Sequence, residues 1–226
     1  MVSQLPIVKL AGLTFPYKQC LRHPTVSFYT HLVRRHYIFN TRHHIIKSTC
    51  ILFEYIYLLK SNSEEVKTAV RIALDAGYRL FDTAFNYQNE DAIGEVLNDY
   101  LKANKIKRED LFISTKLGSV LTRPTDVQYS ISESLRKLHL SYVDLFLIHF
   151  PVVLKKQNDP SNILPMIDGQ FDNNGVVDFE GVWKEMEKLF DKGKARSIGV
   201  SNFNAAQVER IMNIARVKPV VNQGTR

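Results

Sequence analysis

From Ser61 onward, short apolar runs alternate with segments in which apolar residues return every three or four positions. These two periodicities separate buried strands from amphipathic helices. Ser61–Glu65 sets polar capping residues ahead of two carboxylates, which would meet the positive end of a helix dipole. Val66, Ala69, Val70, Ile72, Ala73 and Leu74 follow at helical spacing, and Gly77 stops the helix. The pattern then predicts a strand over Arg79–Asp82 and a helix over Asp91–Lys102 with Ile93, Val96, Leu97 and Leu101 on one face. A strand over Leu111–Lys116 precedes a helix over Asp126–Leu138 with Val127, Ile131, Leu135 and Leu138 inward. Val143–His149 reads as a buried parallel strand. After a loop rich in Pro, Asn, Gly and Asp (151–178) come a helix over Phe179–Lys192, a strand over Ser197–Ser201, a helix over Ala205–Ala215 and a strand over Pro219–Gln223.

Such strict alternation specifies an α/β fold on a parallel sheet, either doubly wound or a (β/α)8 barrel. Neither Gly-x-Gly-x-x-Gly nor the phosphate loop Gly-x4-Gly-Lys-Ser/Thr occurs in the sequence, which favours the barrel.

Composition changes this picture mainly by locating the charge. The chain of 226 residues carries a net charge of +7 and has a pI near 9.3, which at face value invites a nucleic-acid reading. Residues 17–60 hold Lys18, Arg22, Arg34, Arg35, Arg42, Lys47 and Lys60 against Glu54 alone, so the remainder is nearly neutral. That segment also holds Cys20, Cys50 and five histidines (His23, His31, His36, His43, His44), with no glycine. Their spacing lacks the paired Cys-x2-Cys or His-x3-His of a zinc site, so no metal is expected. Two cysteines exclude a disulfide scaffold. The most apolar run, Cys50–Leu59, is half the roughly twenty residues a bilayer span needs. No cationic region leads into an apolar core at the start, and the expectation is a soluble cytoplasmic protein that engages neither membrane nor nucleic acid. Asp172-Asn173-Asn174-Gly175 does not complete a calcium loop and reads as a turn.

The strand ends carry the chemistry. Asp82, Lys116, His149, Ser201 with Asn202, and Gln223 each close an apolar run, and barrel sites form at the C-terminal ends of several strands. Taken singly, each has a structural explanation as a cap, turn former or core residue; their coincidence does not. Tyr87 follows Asp82 by five residues, in the loop above the same mouth. A tyrosine hydroxyl donates a proton poorly unless its anion is stabilised, and a buried Lys116 held by Asp82 would supply that stabilisation. His149 could then hold a carbonyl near the tyrosine.

At this point the sequence resembles the aldo-keto reductases. Gly77-Tyr78-Arg79-Leu80-Phe81-Asp82-Thr83-Ala84-x-x-Tyr87-x-Asn89-Glu90 is similar to the second-strand signature of that family. Ile113–Leu117 resembles its lysine strand, Val143–Pro151 its histidine strand, and Ile198–Phe203 with Val221–Gln223 the strands that hold the nicotinamide. The resemblance covers 61–223 and, more faintly, 6–16. It implies NADPH-dependent reduction of aldehydes or ketones by a monomer. Tyr87 would be the acid, Lys116 and Asp82 its tuning pair, and His149 the carbonyl orienter. Asp82, Ser201, Asn202 and Gln223 would bind the cofactor, and His149 and Phe150 the small carbonyl substrate. Gly118 stands where an aromatic residue is common.

The expected organisation is a hairpin remnant over 1–16, a basic and poorly ordered non-family insert over 17–60, and a partial barrel over 61–226. In this reading the first strand is disrupted and the last two β/α units are missing, so the barrel is incomplete. The abrupt edges of the insert suggest translated non-coding sequence, an idea that an abundant uninterrupted transcript across Pro16–Ser61 would refute. A catalytically inactive fragment with a binding or regulatory role is the competing expectation.

Overall fold

Helix α1 (Ser63–Asp75) begins inside the Ser61–Glu65 start expected from sequence, with Asn62 as its cap. Asn62 Oδ1 accepts from the Glu65 N–H at 3.0 Å, and Glu65 Oε2 accepts from the Asn62 N–H at 3.1 Å. This reciprocal box satisfies two donors that the first turn leaves open. The chain leaves the helix through Gly77 at φ +91°, a left-handed conformation that glycine adopts freely. The structure is a computed structural model and describes residues 50–51, 62–158, 162–173 and 175–224. The expected N-terminal hairpin, and the basic segment apart from Cys50 and Ile51, lie outside the described residues.

The strands are β1 (Cys50–Ile51), β2 (Leu80–Asp82), β3 (Phe112–Leu117), β4 (Leu145–Ile148), β5 (Met166–Ile167), β6 (Gln170–Phe171), β7 (Ile198–Ser201) and β8 (Asn222–Gln223). Between them run α2 (Glu90–Lys102), α3 (Pro124–Leu138), α4 (Phe179–Asp191) and α5 (Ala205–Ile214). Six strands form one parallel sheet in the order β1-β2-β3-β4-β7-β8, while β5 and β6 make a separate antiparallel hairpin. A helix lies in sequence between each strand of the large sheet and the next, α1 standing between β1 and β2, and the sheet curls as an incomplete (β/α)8 barrel. Cys50 and Ile51 pair with Leu80 and Phe81, so two residues of the basic segment occupy the position beside β2.

Burial on both faces follows from the apolar strands. Phe146 and Ile148 pack toward the helices with Trp183, Ile131 and Leu138, whereas Leu145 and Leu147 join Val221 on the opposite face. This two-sided burial is what a continuous apolar run such as 145–148 demands of a parallel strand. Gly199 sits where β4, β7 and β8 draw together: a Cβ there would lie 2.8 Å from the Val221 carbonyl oxygen and 2.9 Å from the Leu147 side chain.

The structure differs from the sequence expectation in two instructive places. The paired strands are shorter than the apolar runs; Val143 makes only an isolated bridge to Ala195, and β8 pairs over two residues rather than Pro219–Gln223. The loop 151–178 holds the β5–β6 hairpin, turned by Asp168 and Gly169 at φ +51° and +77°. Met166, Ile167, Gln170 and Phe171 are all exposed, so no alternation of burial marked them as strands.

At the N-terminal ends of the strands, Arg108 and Arg196 lie over the Tyr142 ring at 3.9 and 4.0 Å. Asp144 accepts from Arg108 at 2.7 Å and from the Ile113 backbone at 2.9 Å. This clasp joins β3 to β4 far from the strand ends that carry ionisable residues.

Candidate active site

Parallel register sets the first two residues of the site. Asp82 ends β2 opposite Ser114, which places Lys116 two residues further along β3, and Lys116 pairs in register with Leu147 of β4. Lys116 has no exposed surface and Asp82 only 3%. Their ion pair, Lys116 Nζ to Asp82 Oδ2, spans 2.7 Å. A buried ammonium needs its donors filled, and Lys116 also donates to the Thr83 carbonyl oxygen at 2.9 Å and reaches the Tyr87 hydroxyl at 3.4 Å. Its Nζ lies 5.0 Å from the Tyr87 ring centroid as well.

Tyr87 is buried at the end of a 3-10 turn, Phe85–Tyr87, that crosses above the strand ends. His149 follows β4 directly, and its ring meets that of Tyr87 edge-on, with centroids 5.5 Å apart. Phe150 stacks on His149 at 4.4 Å. Thus the side chains of Asp82, Tyr87, Lys116 and His149 come together, and Phe150 adjoins them.

Ser201 and Gln223, paired in register on β7 and β8, are both buried at the same end of the sheet. Gln223 Nε2 donates to Asp82 Oδ2 at 3.2 Å, so the last strand reaches back to the second. Asn202, at φ +62°, donates from its side-chain amide to the His149 carbonyl oxygen at 3.0 Å and to Ser201 Oγ at 3.1 Å. All eight residues singled out from sequence therefore lie at one end of the sheet.

Three groups beside the site carried no assigned role in the sequence. Asn86 and Ser119 bond each other from adjacent loops, and Thr83 donates to Asn89 at 2.7 Å. Glu90, the first residue of α2, is 1% exposed and accepts from Thr115 at 2.6 Å and Ser134 at 3.1 Å. Burial pushes its carboxyl above the ordinary carboxylate range, with both hydroxyls opposing the shift. Asn89 and Glu90 were visible as part of the second-strand signature; nothing in the sequence indicated their partners. Gly118 faces the Phe85 ring: a Cβ there would lie 2.7 Å from Phe85 Cδ1. Among the described residues, no group of three or more His, Cys, Asp or Glu is placed to hold a metal ion, and no helix is long and apolar enough to cross a membrane.

An ammonium beside a phenol favours negative charge on the phenolic oxygen, and a carboxylate on the far side of that ammonium keeps it charged. The arrangement can therefore release a proton from Tyr87 to an oxygen gaining electrons. Asp82 Oδ1 is buried without a hydrogen-bond partner among the described residues, an acceptor available to a ligand hydroxyl. Ser201, Asn202 and Gln223 together offer hydroxyl and amide groups of the kind that pair with a carboxamide. They are the residues to which the sequence resemblance gives the nicotinamide end of a dinucleotide.

Residues 57–225 match the model of the Aldo/keto reductase family. Over 166 residues the chain is 45% identical to aldo-keto reductase family 1 member C13 of Mus musculus, covering 73% of this chain and 50% of that protein. Over 162 residues it is 41% identical to a glycerol 2-dehydrogenase (NADP(+)) of Hypocrea jecorina, covering 70% and 51%. Among solved structures, an aldose reductase from Schistosoma japonicum superposes with a TM-score of 0.66 at 45% identity, covering 71% of this chain and 52% of that one. The chain spans about half the length of the curated relatives it matches.

Proposed function

Since the chain belongs to the aldo/keto reductase family, we propose that its strand ends form the proton-donor and nicotinamide site of an NADPH-dependent reductase acting on small aldehydes or ketones. The observation that carries this reading is the buried row Asp82–Lys116–Tyr87, with contacts of 2.7 and 3.4 Å, closed by His149 against the Tyr87 ring. NADPH, when bound, supplies the hydride for the carbonyl carbon; the similarity to the NADP(+) glycerol 2-dehydrogenase of Hypocrea jecorina supports the phosphorylated form. Asp82 keeps Lys116 charged and oriented. Lys116 stabilises the Tyr87 oxygen as it gives up its proton to the carbonyl oxygen. His149 holds that oxygen within reach of Tyr87, and Phe150 forms the adjoining wall. Ser201, Asn202 and Gln223 would hold the carboxamide of the nicotinamide through their hydroxyl and amide groups. The reading takes the protein as a cytoplasmic monomer, which sedimentation and cell fractionation measure directly.

The test uses the purified 226-residue chain. It should quench NADPH fluorescence and oxidise NADPH in the presence of a generic aldehyde. Tyr87→Phe removes only the proton donor, so turnover should fall by about 10²–10⁴-fold while nucleotide binding persists. Undiminished turnover in that variant would remove Tyr87 from the role. A chain that binds NADPH without turning over would instead favour an inactive binding protein.

A further inference from the structure

We propose that Asn86 is a positioning residue for Tyr87, its amide locking the turn that carries Tyr87 onto the loop that follows β3. The inference rests on the reading of Tyr87 as proton donor, but the contact itself does not. Asn86 Nδ2 donates to Ser119 Oγ at 2.7 Å, and the Ser119 N–H donates to Asn86 Oδ1 at 3.1 Å. Both residues are 1% exposed. The pair joins positions 33 residues apart, one beside Tyr87 and the other three residues past Lys116.

The turn needs such a tether. Phe85–Tyr87 is a single 3-10 turn whose N-cap, Ala84, makes no side-chain bond, and it closes through the Tyr87 N–H to the Ala84 carbonyl at 2.9 Å. Short 3-10 turns hold poorly by their own hydrogen bonds. The loop's two ends are fixed, by Thr83 N–H on the Ser114 carbonyl and by Thr83 Oγ1 on Asn89. Its middle is fixed by two consecutive side chains: Phe85 fills the space beside Gly118, and Asn86 bonds Ser119. Ser119 in turn accepts from the Leu154 N–H at 2.9 Å, so the loops after β2, β3 and β4 are joined in series. Through this chain the Tyr87 oxygen is held 3.4 Å from Lys116 Nζ, a separation that a small tilt of the turn would break.

Nitration by tetranitromethane, followed residue by residue by mass spectrometry, reads this positioning without requiring turnover. Tyr100, buried in α2 outside the site, is the internal control. Asn86→Val should accelerate nitration of Tyr87 relative to Tyr100 by about 10-fold or more, since two bonds that oppose local opening are lost. Ser119→Ala keeps the backbone bond to Asn86 and should give a smaller acceleration, about 3- to 5-fold. Equal acceleration of both tyrosines, or a Tyr87 rate unchanged relative to Tyr100 in Ser119→Ala and in any folded Asn86→Val, overturns the proposal. Where turnover is measurable, Asn86→Val should lower kcat with KM nearly unchanged, because nucleotide and substrate contacts remain. If Tyr87→Phe keeps full activity while the nitration contrast holds, the catalytic reading fails and the positioning stands.

Discussion

Glu90 carries a carboxyl into a site with 1% exposure, between Thr115 on β3 and Ser134 on α3. Burial raises its folded-state pKa above the ordinary value of 4.5, so the folded chain holds that proton more tightly than the unfolded chain. Its contribution to stability is therefore complete below 4.5 and is lost as pH rises through the folded-state value. Glu90→Gln keeps the shape and removes the titration. Its unfolding free energy should be flatter than wild type above pH 4.5, the slopes differing by up to about 1.4 kcal/mol per pH unit. Denaturant melts from pH 4 to 8 test this, and parallel curves would refute it. Residues at this end of the sheet divide by how far their place could be read in sequence. Asp82, Lys116, His149, Ser201 and Gln223 were legible because each ends an apolar run, and parallel register gathers such ends. The Asn86–Ser119 bond and the seat of Glu90 were not, because pairing between loops leaves no period along the chain.

The elements meet with little tolerance where two helices cross. A Cβ on Gly94 of α2 would fall 2.1 Å from the Lys137 carbonyl oxygen and 2.6 Å from Leu138 Cα, at the end of α3. Both obstacles are backbone and cannot swing aside. Alanine is the better helix former by roughly 1 kcal/mol, yet Gly94→Ala should destabilise the fold by about 2–3 kcal/mol as α2 is forced away from α3. A thermal melt decides the sign, and a stabilised variant would mean that α2 packs more loosely. The order and type of the major helices and strands followed from periodicity, since each buries one stripe or two faces. Their ends followed less well, because caps depend on side chains such as Asn62 that carry no hydrophobic signal. The β5–β6 hairpin escaped notice for the converse reason: with Met166, Ile167 and Phe171 all exposed, it has no buried face to set a pattern.

Over the whole molecule, the two ends of the sheet do different work. The N-terminal end is held by the Asp144 clasp on Arg108 and the Ile113 backbone, and the C-terminal end gathers the ionisable site residues. Asp144→Asn should lower stability by about 2–3 kcal/mol, the scale of hydrogen bonds to a charged group, while NADPH affinity of the folded chain stays unchanged. Weakened binding at a temperature where the variant is fully folded would show that the ends are coupled. The seclusion of Lys116 has a practical consequence of its own. An amine with no accessible surface reacts with an acylating or methylating reagent only when the fold above it parts. The lag between modification of the exposed lysines and modification of Lys116 is thus a clock for that parting, readable from peptide masses without any substrate in hand.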